Sequence, residues 1–327
     1  MIAYDIIGDI HGQAGKLEGL LRLMDYEPLE RGYRAPAGRQ AVFLGDLIDR
    51  GPAQLRVLEI ARAMVESGDA LCILGNHEIN AIGYVTHAPW APQDFFRPNT
   101  ERNRLQHIEF LDQIGDGSKA HKSAIAWFRT LPVCLDLGGI RVVHGCWDDE
   151  AVDTLHAGGW VPEVDLNDDL LAEIYRKEAD GSESPMMKAR KLLSCGLEIP
   201  LPDGKAIEDK AGHKHKDMRI ANWRHWAKEF HEVALVPKGQ EELLRGMEWP
   251  AGLVISAIEG SPVCVGHHWF NGHPTIESPK LACLDWSAAR EGPLVAYRWD
   301  GEQALSDDKL VWVDKPNRSA SVAVASE

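Results

Sequence analysis

Short apolar runs alternate with helical stripes along the first part of the chain. Ile6-Ile7, Ala41-Val42-Phe43-Leu44 and Leu71-Cys72-Ile73-Leu74 are brief and bounded by glycine or polar turns, the pattern of buried strands. After the first run, Leu17, Leu20, Leu21 and Met24 recur at i, i+3, i+4, i+7, and after the second so do Val57, Ile60, Ala61 and Met64. Pro52 suits the first turn of that second helix, and Gly68 suits its end. Strand, loop and helix in series imply a largely parallel sheet, whose ligands gather at the carboxyl ends of the strands.

Further along, the spacing predicts helices from Arg102 to Ile114 and from Ala120 to Arg129, then a strand at Ile140-Arg141-Val142-Val143. The stretch from Gly83 to about Leu131 opens with Trp90, Phe95, Phe96 and Pro98 and is expected to cover part of a site. From about 150 to 260 the pattern weakens: acidic at Asp165 to Asp169, helix-like around Met186 to Leu193, loop-like from Glu198 to Gly212. We read it as a partly helical cap inserted into one α/β domain over residues 1–315. The closing segment is β-rich, with runs at Val263-Cys264-Val265, Leu281 to Asp285, Leu294 to Trp299 and Leu310 to Val313. The small, polar tail 316–327 is expected to fray.

The polar positions carry the chemistry. Each apolar run ends in a glycine turn with ligand-type side chains: Gly8-Asp9-Ile10-His11-Gly12, Gly45-Asp46-Leu47-Ile48-Asp49-Arg50-Gly51, Gly75-Asn76-His77-Glu78, His144-Gly145 and Gly266-His267. Asp9, His11, Asp46, Asn76, His144 and His267 thus supply oxygen and nitrogen donors from separate strand ends, with no thiolate among them. That mixture suits two divalent ions such as Mn²⁺, or Fe or Zn in its place, sharing one carboxylate. Such a pair carries about +4, and with two aspartates and a bridging hydroxide the site keeps roughly one positive charge, which favours phosphate. Arg50 adds a planar donor for two phosphate oxygens. Asp49 is placed to hold a histidine, with His77 the obvious candidate, so that His77 can protonate a leaving oxygen.

Composition narrows the partners. With 35 Lys plus Arg against 50 Asp plus Glu, the net charge of −15 repels a phosphodiester polymer, so duplex nucleic acid is not expected. No apolar run approaches membrane-spanning length, and Met1-Ile2-Ala3-Tyr4-Asp5 leads straight into the first strand, so a cytoplasmic protein is expected. Cys72, Cys134, Cys146, Cys195, Cys264 and Cys283 form no Cys-x-x-Cys pair and read as buried, reduced thiols. His213, His215, Arg219, Arg224 and His225 lie in the insertion, where a solvated surface is the ordinary role. His87, His107 and His121 have no supporting context.

In order and spacing these motifs resemble the calcineurin-like metallophosphoesterases. The Asp49-Arg50-Gly51 ending and Glu78 are most similar to the phosphoprotein phosphatase branch, which also includes bacterial dinucleoside tetraphosphatases. The resemblance covers about residues 2 to 145 and 262 to 300. It implies a sandwich of two mixed β-sheets flanked by helices. It further implies that Asp9, His11 and Asp46 hold one metal, that Asp46, Asn76, His144 and His267 hold the other, that Arg50 grips phosphate, and that Asp49 and His77 form the acid pair.

Some positions depart from the family pattern. The second phosphate-binding arginine of family protein phosphatases has no recognisable motif here, and Arg219 is taken as its substitute. Of the adjacent His267 and His268, His267 is preferred as ligand because it directly follows the strand and its glycine. Cys146 stands where a second glycine is common. The expected activity is hydrolysis of phosphomonoesters, specifically phosphorylated Ser, Thr or Tyr in proteins, by attack of a metal-bridging hydroxide. The alternatives are a dinucleoside polyphosphate hydrolase and a phosphate-binding scaffold without turnover.

Overall fold

The computed structural model describes residues 2–201, 206–208, 214–215, 217–236, 239–249 and 253–314. His213, the side chain of His215 and the tail 316–327 lie outside the described residues.

Alternation along the strands builds two layers. In strand Ala3–Ile7, Ile6 faces one way and Ile7 the other; in strand Arg39–Phe43, Val42 faces one way and Ala41 and Phe43 the other. Ile6, Val42, Leu44 and Ile73 meet Ile140, Val142, Cys264, Ala282 and Leu284 in one fully buried cluster, the seam between two sheets. Ile7, Ala41, Phe43 and Cys72, with Val143, Val263, Val265 and Cys283, instead join the cluster that the helices bury. Each large side chain so buried stabilises by about 1.5–3 kcal/mol.

The first sheet runs in the order Leu310–Val313, Leu294–Trp299, Ala3–Ile7, Arg39–Phe43, Ala70–Cys72, the last three parallel and the first two antiparallel. The second runs Leu281–Cys283, Val263–Val265, Arg141–Val143, Cys134–Asp136, of which the first three are parallel. This is the two-sheet α/β sandwich that the motifs implied. The helices Ala14–Leu23 and Gln54–Ser67 bury Leu17, Leu20 and Leu21, and Val57, Ile60, Ala61 and Met64, as their spacing required.

Three local expectations change. Pro52 precedes its helix, which begins at Gln54, although Gly68 does close it with φ 81°. The single helix expected from Arg102 to Ile114 is two, Glu101–Gln106 and Ile108–Ile114, broken at His107 (φ −115°, ψ 5°). A further helix, Asn76–Val85, starts inside the third ligand loop, where apolar spacing does not announce it.

The stretch from 150 to 260 divides by its packing. Helices Asp149–Ala157, Asp168–Tyr175 and Pro185–Cys195 place Leu155, Leu171, Ile174 and Leu193 in the main helical core. A three-stranded antiparallel sheet, Leu197–Pro200, Asp217–Ile220 and Ala234–Leu235, gathers its own small cluster around Met218, Ile220, Phe230 and Val233. The cysteines form no disulfide; five are buried and Cys195 is half-buried. Among the described residues no helix is long and apolar enough to cross a membrane.

Candidate metal centre

The parallel strands of both sheets end in loops that meet one another. The N–H groups of Ile10 and His11 both donate to the carbonyl of Asp46, at 3.1 and 2.8 Å, so the first two loops are clasped. Glu78, fully buried on the first turn of helix Asn76–Val85, accepts the N–H groups of Asp46 (2.9 Å), Leu47 (2.9 Å) and Gly75 (3.0 Å). One carboxylate therefore ties the second loop to the third. Burial and the neighbouring Asp46 push Glu78 up to about 7, while backbone N–H donors such as that of Leu47 favour its ionised form.

The loops hold their side chains by unusual backbone. His11 (φ 45°), Asp46 (47°), Asp49 (70°), Arg50 (68°) and His267 (64°) all occupy the left-handed region, which costs non-glycine residues about 1 kcal/mol or more each. Close packing is equally demanding at Gly266, where an added Cβ would stand 2.2 Å from Oδ1 of Asp9.

Two groups of ligand atoms result, each within 4.8 Å: His11, Asp46 and His77, and Asp46, His144 and His267. Asp46 belongs to both. The Nδ1–H of His11 donates to Ile48 O at 2.8 Å and that of His144 to Leu44 O at 2.7 Å, which turns each Nε2 toward Asp46 (3.4 and 3.3 Å). The Nε2 atoms of His11 and His267 are buried without a hydrogen-bond partner. Such orphaned nitrogens cost free energy unless a Lewis acid takes the lone pair, so the residues present fit divalent cations.

Charge agrees with that reading. Burial pushes Asp9 well up, helped by the carboxylates of Asp285 and Asp46 beside it. Burial opposes a charge on His144, but Asp46 and Asp9 outweigh it and hold it up to about 10. Burial likewise opposes ionisation of Asp46, yet His144 and His77 keep it well below the usual carboxylate range. Cations bound here would replace protons that the cluster otherwise retains.

The remaining expected residues fall around this centre. Asp9 belongs to neither trio; its carboxylate accepts the backbone N–H of His267 at 3.1 and 3.2 Å and keeps lone pairs for a cation, while His77 stands beside His11 and Asp46. Asn76 Oδ1 lies 3.2 Å from His144 Nε2. His77 pairs through Nδ1 with Asp49 Oδ2, and the exposed Arg50 guanidinium stands 3.4 Å from His77 Nε2. Arg219 donates to the carbonyl of His267 at 3.0 Å and faces Glu198 at 3.4 Å, so it supports the last ligand loop. His268 is turned away: its Nε2 lies 3.0 Å from Gly145 O and its ring meets Trp223 edge-on. Arg224 is tied to Glu277 at 2.7 Å.

Four residues escaped the sequence reading. His107, dismissed for want of context, donates from Nδ1 to Asp49 Oδ1 at 2.6 Å; it lies 58 positions from its partner and carries no motif. Gln54 accepts the N–H of Asp49 at 2.8 Å. Glu78 was visible in its motif without a role. Asp285 ends the apolar run Leu281 to Leu284 much as Asp46 ends its own, a signal that was available; it accepts the N–H groups of Trp269 (2.8 Å) and Ser287 (3.0 Å).

Comparison with known proteins shows the family of the chain. An asymmetrical bis(5'-nucleosyl)-tetraphosphatase PrpE of Halalkalibacterium halodurans is 42% identical over 74 residues, which is 23% of this chain and 30% of that protein. A symmetrical bis(5'-nucleosyl)-tetraphosphatase of Methylococcus capsulatus is 27% identical over 166 residues, 47% of this chain and 50% of that protein. The chain thus spans half or less of the length of these curated relatives. A solved structure described as a putative diadenosine tetraphosphatase aligns over 96% of this chain and 94% of its own, at 16% identity and a TM-score of 0.46. The signature of the calcineurin-like phosphoesterases matches residues 3–194. That match runs from the first strand through the last helix of the main core, and the chain belongs to the calcineurin-like phosphoesterase family.

Proposed function

We propose that the chain is a metal-dependent phosphoesterase that hydrolyses dinucleoside polyphosphates. The observation that carries the phosphoester reading is Asp46, shared by two ligand trios at strand ends, with Arg50 and His77 beside it. Two divalent cations, Mn²⁺ or Fe or Zn by the mixed oxygen and nitrogen donors, would activate water and neutralise the phosphate. Asp9, His11 and Asp46 would hold one; Asp46, Asn76, His144 and His267 the other.

The chain's own groups do the rest. Arg50 offers its exposed guanidinium to two phosphate oxygens. Asp49 binds Nδ1 of His77 and leaves the other ring nitrogen toward Arg50, so that the imidazolium form of His77, protonated at both nitrogens, would pass its Nε2 proton to the departing oxygen.

The tetraphosphatase relatives favour a dinucleotide over the phosphoprotein expected from Asp49-Arg50-Gly51. A cleft of about 830 Å³, within the usual range for small-molecule sites, is lined by Cys146 and Trp147, which follow His144 in the chain, and by Leu197 and Ile199, and is the space we assign to a nucleoside. The Trp147 ring, which carries the Arg141 guanidinium 4.9 Å from its centroid, would stack a base, worth about 1–3 kcal/mol.

The test compares metal-reconstituted protein on diadenosine tetraphosphate and on a phosphoserine peptide. Faster dinucleotide cleavage is expected, and Trp147→Ala should raise its KM about tenfold while leaving p-nitrophenyl phosphate unaffected. Preference for the peptide would return the phosphoprotein reading. Metal uptake with turnover of neither would leave a phosphate-binding scaffold.

A further inference from the structure

We propose that His107 is a positioning residue for proton transfer: it holds Asp49 from the side opposite His77 and thereby fixes the direction in which His77 presents Nε2. The inference rests on the phosphoester reading above.

Asp49 is almost wholly buried, and each of its two oxygens meets one histidine, Oδ2 the Nδ1 of His77 and Oδ1 the Nδ1 of His107 at 2.6 Å. A carboxylate only accepts, so both Nδ1 atoms carry hydrogen. With one partner, the carboxylate could turn about its own bond and take His77 with it. Two partners at opposite oxygens set its plane, and that plane sets the tautomer and tilt of His77.

His107 is itself firmly placed. It stands at the junction of helices Glu101–Gln106 and Ile108–Ile114, donates its backbone N–H to Arg104 O at 3.0 Å, and accepts that of Leu111 at 3.1 Å. Its ring packs between Phe110 and Tyr84, with centroids 4.9 and 5.7 Å away. The break that interrupts the helical stripe is what aims this ring at Asp49. The contact links the helical segment 101–114 directly to the phosphate-side machinery, because Arg50 follows Asp49 in the chain.

A purely space-filling role makes a different prediction. Packing would tolerate Leu or Phe, whereas positioning needs an N–H donor near Nδ1, which the amide of Asn supplies. The readout is leaving-group dependence. Phenol, with a pKa of about 10 like a tyrosine side chain, needs protonation as it departs, and p-nitrophenol, far more acidic, hardly does.

With metal-loaded protein, His107→Leu should lower kcat on phenyl phosphate about 100-fold and on p-nitrophenyl phosphate less than about tenfold, with KM unchanged. His107→Asn should remain within about threefold of wild type on both. If His107→Leu does not fold, His107→Phe keeps the packing against Phe110 and Tyr84 and reads the same comparison. Equal losses on both esters, or an Asn variant as impaired as Leu, would overturn the assignment.

The imidazole ¹⁵N shifts of His77 decide the matter without turnover. In the neutral ring, which takes up the transferable proton at Nε2, a single Nδ1–H tautomer should persist in wild type and His107→Asn and become mixed in His107→Leu; an unchanged tautomer in His107→Leu overturns the proposal. Wild-type protein inert on both esters would sink the phosphoester reading instead, while the tautomer comparison still judges His107.

Discussion

Asp46 is the residue on which the centre depends, since its two oxygens face different histidines, His144 at 3.3 Å and His11 at 3.4 Å. Asp46→Asn keeps the shape but removes the shared negative charge, and turnover should fall about 10³-fold or more with a loss of bound metal, measured by kcat and metal content together. Glu78 works one step behind it. In Glu78→Gln an amide N–H₂ would confront backbone N–H groups now accepted at 2.9–3.0 Å, so unfolding in urea should show a loss of about 2–4 kcal/mol. The difference between the two variants is instructive: one should cost activity with little stability, the other both.

At the scale of elements, the site depends on how loops are clamped rather than on any one strand. Loop Gly8–Gly12 hangs on the carbonyl of Asp46, and the loop after Val263–Val265 hangs on Asp9 through the N–H of His267. Gly266 permits that last contact, and Gly266→Ala would drive a methyl group to 2.2 Å from Asp9 Oδ1. Metal affinity should fall at least about tenfold in a titration of metal-free protein, because the displaced loop carries His267. Unchanged affinity would mean that Asp9 moves aside freely and does not set the loop.

The element boundaries also show where periodicity fails as a guide. Apolar spacing carried a helix from Arg102 to Ile114 straight through His107, since Phe110, Leu111 and Ile114 keep their stripe whether or not the backbone breaks. Helix Asn76–Val85 was hidden for the opposite reason: its first turn carries Asn76, His77 and Glu78, polar residues that are drawn in by the site.

Across the whole molecule, the first sheet is secured away from the ligand loops by a buried carboxylate. Asp5 accepts from Arg39 (2.6 Å), Arg298 (3.0 Å) and the hydroxyl of Tyr26 (3.1 Å), which joins three strands to the end of the first helix. Burial, with Asp5 beside it, raises Tyr26 far above its usual value near 10. A folded-state pKa raised in this way contributes stability that is fully present below about pH 10 and is lost as the pH rises beyond it. Wild type should therefore lose stability between about pH 10 and 11.5 more steeply than Tyr26→Phe, with the two slopes compared by urea midpoints. Parallel slopes would show that the hydroxyl ionises freely in the folded protein.

Much of this was written in the chain itself. Strand-length apolar runs, helical stripes and the glycine turns between them are local properties, so they announced an α/β fold, the ligand loops and the pairing of Asp49 with His77 without any knowledge of distance, while the sandwich of two sheets came only from the resemblance of the motifs to a known family. The structure decided which side chains face one another across those loops. It set Asp9 against the backbone of His267, gave His77 a place beside His11 and Asp46, turned Arg219 to support the last loop, and brought His107 across 58 residues to Asp49. Such meetings follow from sheet register and loop clamping, which long-range packing fixes and no short stretch of sequence encodes.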